Sequence, residues 1–187
     1  MAWFKKKPEI EQTQPRGEPN ILAEKSTRAA TVEAKGAEIR RRAGELQTLA
    51  GKGVPTGEAV TALAAALGNE IAALVMRNPS LTVDEIADPV CQSVRDMARH
   101  TVSPSSSDAP KEVLTEPEFE QLTMRIIKTA TPNATVTDAM AATAKALGVM
   151  IATAARQGGF DEVLTWGQNA VLDCAREARD RLGRKEP

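Results

Sequence analysis

From Ile21 onward, apolar residues recur every three or four positions in six separate stretches, the spacing of one face of an α-helix. The first expected helix covers residues 21–49, with Asn20 as its cap. Its first half is polar nearly all round, and its second half carries a stripe at Ile39, Leu46, Leu49 and Ala50. Gly51-Lys52-Gly53-Val54-Pro55 ends it. The second helix is expected from Thr56, read as its cap, through Val60, Leu63, Leu67, Ile71 and Leu74, to a stop at Asn78-Pro79. Thr82-Val83-Asp84-Glu85 has the form of a capping box and opens the third helix, whose apolar face runs through Val90, Val94, Met97 and Ala98. Asp88-Pro89 within it either starts a fresh helix or kinks a continuous one. A Ser/Pro-rich stretch over 101–114 reads as a linker. Beyond it, helices are expected from Thr115, from Thr137 as a cap, and from Phe160 to Leu182.

The two sides of that linker resemble each other. At an offset of 80 residues, eight of the fifteen positions from Glu58 to Ala72 are identical to their counterparts, including Leu67-Gly68 with Leu147-Gly148 and Ile71-Ala72 with Ile151-Ala152. Leu46 then meets Ile126, and Ala50 meets Ala130. In the third helix the offset becomes 77, where Val94 meets Val171 and Ala98-Arg99 meets Ala175-Arg176. The expectation is an all-α helical bundle made by tandem duplication of a three-helix unit, with copies near 41–99 and 116–182. By segment, residues 1–19 read as a disordered tail, 20–100 as the first repeat with a leading helical arm, and 115–183 as the second repeat. Within each second helix lies a row of small residues four apart: Ala64, Gly68 and Ala72, then Ala144, Gly148 and Ala152. Such rows let helix backbones approach closely. They are expected to pack on each other, across an internal twofold or a homodimer, or within their own three-helix units.

Composition supports helices. Aromatics are only 3% of the chain and Tyr is missing, while alanine, the best helix former, supplies much of the 42% that is hydrophobic. Charge nearly cancels, 24 Lys and Arg against 25 Asp and Glu, so the chain lacks the overall basic excess of a dedicated nucleic-acid binder. Two cysteines, Cys91 and Cys174, do not make a disulfide framework; reduced thiols and a cytoplasmic setting are the expectation. No continuous run of about 18 apolar residues suggests a membrane span.

Candidate chemistry is sparse. His100 is the only histidine and has no carboxylate or thiol near it at ligand spacing. The pairs Asp84-Glu85 and Asp161-Glu162 fall in first helical turns, where capping and the helix dipole account for them. No phosphate-binding, dinucleotide-binding or zinc-ligand pattern is present, so no catalytic residue, cofactor or metal site is expected. The expected role is a non-enzymatic adaptor or accessory protein with a protein partner, binding through its N-terminal arm and helical faces, and a homodimer is within that expectation. An alternative is a nucleic-acid-associated regulator using the basic patch Arg40, Arg41 and Arg42 and the C-terminal arginines Arg176, Arg179, Arg181 and Arg184. A second is attachment to a membrane surface, or to a partner groove, through Trp3, Phe4, Lys5, Lys6 and Lys7.

Overall fold

The computed structural model describes residues 21–101, 113–155 and 159–183. Among them it contains six α-helices and no strand: α1 (Ile21–Gly51), α2 (Thr56–Arg77), α3 (Val83–His100), α4 (Glu116–Ala130), α5 (Val136–Ala154) and α6 (Phe160–Gly183). The protein is all-helical. Residues group into two compact units, Met1–Ala34 and Lys35–Pro187, with the boundary inside α1. In the first unit the described residues are all helical, and Val32 is exposed. The second unit holds the rest of α1 and the five other helices. The expected tail, residues 1–19, lies outside the described residues, as does most of the Ser/Pro linker.

Local chemistry sets the helix ends. The Thr82 hydroxyl accepts the Glu85 N–H, and the Glu85 carboxylate accepts the Thr82 N–H at 2.8 Å, so the expected capping box closes at the start of α3. The Glu118 carboxylate likewise takes the Thr115 N–H at 2.8 Å before α4. Two expected caps move. Pro55, in extended geometry, occupies the position before α2, so Thr56 is its first helical residue. Thr135 rather than Thr137 caps α5, because Asp138 stands three residues after it and offers its N–H to the Thr135 hydroxyl. The Asp88-Pro89 alternatives resolve into one continuous α3 with Pro89 inside it. Pro89 is on the exposed face, where water can serve the carbonyl that a proline leaves without a donor.

Packing in the second unit does not follow chain order. α2 packs far more extensively on α6 than on its neighbour α3, and α5 packs on α3 more than on its neighbour α6. α2 and α5 also lie against each other, and α4 rests on α2. Leu63, Leu67, Ile71, Ile126, Leu147 and Ile151 are fully buried where these helices meet, and Leu46 of α1 belongs to the same core. α2 is the one described helix with the length and mean hydropathy, 1.7, of a membrane span; 72% of that window is buried inside the protein, where its apolar side chains form core.

Candidate functional site

The small-residue rows sit in the core, and their glycines touch helices from the opposite side of the linker. A Cβ on Gly68 would lie 2.8 Å from the Ala175 backbone N and 2.9 Å from the Val171 carbonyl oxygen, both in α6. A Cβ on Gly148 would lie 2.8 Å from the Val94 carbonyl oxygen and 2.7 Å from the Met97 Cβ, both in α3. The glycines therefore face α6 and α3 and not each other. Ala64, Ala72, Ala144 and Ala152 are buried beside them. Two polar ties link α2 to the segment just before α4, and α1 to α5. The Leu114 N–H donates to the Glu58 carboxylate at 2.8 Å, and the Lys35 ammonium pairs with Asp138 at 2.9 Å.

The basic patch divides into separate roles. Arg41 is held by Glu38 and Glu45 on its own helix. Arg42 is buried, 7% exposed; it donates to Glu38 at 2.8 Å and to the Ala130 carbonyl oxygen at 2.7 Å. That carbonyl ends α4, where the helix dipole leaves partial negative charge. Hydrogen bonds from Arg41 and Arg42 hold the Glu38 carboxyl down to about 2. Arg40 is exposed. Arg42→Ala is expected to cost about 2 kcal/mol, because it leaves a buried acceptor without a donor. Urea unfolding at pH 7 checks this; an unchanged midpoint would show that water replaces the guanidinium.

The remaining titratable candidates do not converge. His100 is exposed and its Nδ1 lies 2.6 Å from the Asp96 carbonyl oxygen. Cys91 and Cys174 are half-buried free thiols, and burial pushes both above the ordinary thiol range, away from nucleophilic reactivity. Asp84 pairs with Arg176 at 2.8 Å and Glu85 belongs to the capping box, so these neighbours do different jobs. Among the described residues no group of three His, Cys, Asp or Glu side chains is placed to hold a metal ion. Trp3, Phe4, Lys5, Lys6 and Lys7 lie outside the described residues.

Two features were not singled out from the sequence. The first is Glu70 of α2, 3% exposed. One carboxyl oxygen accepts the Thr143 hydroxyl of α5 at 3.2 Å and the other has no partner. Burial pushes this carboxyl up to about 8, so it is mostly protonated at pH 7. The second is a groove of about 440 Å³ bounded by α2, α4 and α6. Its apolar lining includes Phe119, Met124 and Ala178; Met124 is 50% exposed. Glu116, Glu120 and Glu177 line it with negative charge, and its one arginine, Arg181, is already paired with Glu177 at 3.0 Å. Thr123 also lines it, is 8% exposed, and its hydroxyl has no hydrogen-bond partner.

Comparison with protein-family models, with curated proteins and with solved structures finds no match to this chain.

Proposed function

We propose that the chain is a tandem duplication of a three-helix unit and works as a non-enzymatic binding protein, docking a protein partner in the α2–α4–α6 groove. The duplication is supported by reciprocity. Gly68 packs on α6, and Gly148, its counterpart at an offset of 80, packs on α3. Val171 and Val94, which supply the facing carbonyls, are themselves counterparts at an offset of 77. Glu58 and Asp138, also counterparts, each tie to the segment leading into or within the first helix of the other half. Two three-helix halves that trade contacts in this way share one core around α2 and α5.

The observation that carries the binding role is the groove itself. An exposed methionine, a half-buried phenylalanine and a buried, unsatisfied hydroxyl lie together under three carboxylates, and adaptable apolar side chains with a charged rim suit peptide recognition. The nucleic-acid alternative has less support, since Arg41 and Arg42 are engaged with carboxylates. Affinity capture with the wild type and with a Glu116→Gln/Glu120→Gln/Glu177→Gln/Met124→Asp variant tests the role. A polypeptide retained by the wild type and lost with the variant is expected. Equal retention by both proteins would refute the groove as the binding surface.

A further inference from the structure

We infer that the α2–α4–α6 groove docks the aromatic-basic segment Trp3-Phe4-Lys5-Lys6-Lys7, presented by a second copy of the chain. The inference rests on the reading of the groove as a docking surface and adds the identity of what fills it. Charge carries it first. Glu116 and Glu120 stand one helical turn apart on α4, both exposed, and Glu177 faces the same groove from α6. Among the described lining residues the one cation, Arg181, is paired with Glu177, so these residues together present a net negative field. Three consecutive lysines answer that field. Apolar chemistry carries it second. Trp3 and Phe4 are two of the chain's five Phe and Trp residues and directly precede the lysines. The groove offers Met124, exposed over half its surface, beside Phe119. A thioether is a favourable partner for an aromatic ring, and its unbranched side chain adapts to the ring placed on it. The third observation is Thr123, whose buried hydroxyl lacks a partner at the groove wall. A small side-chain rotation at the wall would turn that hydroxyl toward the backbone N–H and C=O groups that an extended segment brings. In such a mode apolar anchors supply affinity and complementary charge supplies orientation.

The probe is a fluorescein-labelled peptide of residues 1–12, titrated by anisotropy into full-length protein and into protein lacking residues 1–7. Saturable binding to both is expected, with affinity lowered at least tenfold by Glu116→Gln/Glu120→Gln/Glu177→Gln or by replacing Lys5, Lys6 and Lys7 of the peptide with Gln. These acidic positions are exposed, so the triple variant should keep the wild-type circular dichroism and thermal midpoint. In light scattering the full-length protein should self-associate with rising concentration, and the shortened protein should not. Peptide binding that ignores both sets of substitutions would overturn the inference. So would a full-length monomer that binds the peptide only after its own first seven residues are removed, since the segment would then serve its own chain. Sedimentation of the full-length protein with phosphatidylserine vesicles, without peptide binding in the groove, would assign the segment to membranes and overturn it too. If the peptide fails while the groove variant still loses a captured partner, the occupant is wrong and the docking surface stands.

Discussion

Replacing Gly68 with alanine is expected to destabilise the fold by about 2 kcal/mol, although the same change in an isolated helix would gain about 1 kcal/mol. The reason is the identity of the atoms in the way. The added carbon would meet the Ala175 backbone N at 2.8 Å and the Val171 carbonyl oxygen at 2.9 Å. Neither can swing aside, so α6 as a whole must move away from α2 along the most extensive contact among the described helices. Loss of close packing along that seam outweighs the gain in helix propensity. Gly148→Ala meets the same obstacle in the Val94 carbonyl oxygen at 2.8 Å. If the two halves are copies, the two variants should agree within about 1 kcal/mol. Two other glycines act as controls. At Gly167 the nearest atom is the Cδ1 end of the Ile151 side chain, which can rotate, so Gly167→Ala should change stability by less than about 1 kcal/mol. Gly44 is exposed with nothing within 4 Å, and Gly44→Ala should stabilise by about 0.5–1 kcal/mol. Thermal unfolding reads all four, with about 2–4 °C per kcal/mol at this chain length. A Gly68→Ala protein as stable as Gly44→Ala would mean that α2 and α6 are not in close contact.

That pattern shows where sequence reasoning stops. The six helices and the Thr82–Glu85 cap were legible because they depend on residues within one or two turns of each other. The rows through Gly68 and Gly148 were recognisable as places of close approach, since a helical glycine needs a reason. Their partner was not, because periodicity shows which face of a helix is buried and nothing about which helix covers it. Here the covering helix comes from beyond the linker in both cases. The buried ionisable groups were missed for a different reason. Arg42 sits among three arginines and Glu70 follows an apolar stripe, so each reads locally as a solvated side chain. A signal was nevertheless present in the internal comparison. At the offset of 80, Arg42 stands opposite Leu122 and Glu70 opposite Met150, both buried. A charge aligned with an apolar core position is a reason to expect a buried charge. The groove had no such signal, since Glu116, Thr123 and Glu177 come together only through the packing of α4 and α6 over α2.

Glu70 leads to the second large effect: the protein should lose stability as pH rises from about 5 to about 8. The carboxyl titrates near its ordinary value, 4.5, in the unfolded chain and at about 8 in the fold. Between those values the folded state keeps a proton that the unfolded state has released, so stability falls with increasing pH. The contribution is complete below 4.5 and gone once pH passes through 8. A shift of this size corresponds to an upper bound of about 5 kcal/mol, and relaxation around a buried charge brings the expected loss to about 2–4 kcal/mol. Among the described residues the Thr143 hydroxyl is the one group bonded to the carboxyl, and no cation there offsets the charge once it forms. Glu38, the other strongly shifted carboxyl, titrates below this window in both states and leaves the slope alone. Glu70→Gln keeps the shape without the titration, and Glu70→Met copies the side chain found at the corresponding position of α5, where Met150 is buried. Both variants should unfold at nearly the same urea concentration from pH 5 to pH 8.5, while the wild type declines. Glu70→Met should exceed the wild type at pH 8.5, because replacing a buried carboxylate by an apolar side chain of similar volume removes the desolvation cost. A wild-type profile parallel to that of Glu70→Gln would show that the carboxyl reaches water, and α2 and α5 would then have to separate near Thr143 more than their packing indicates.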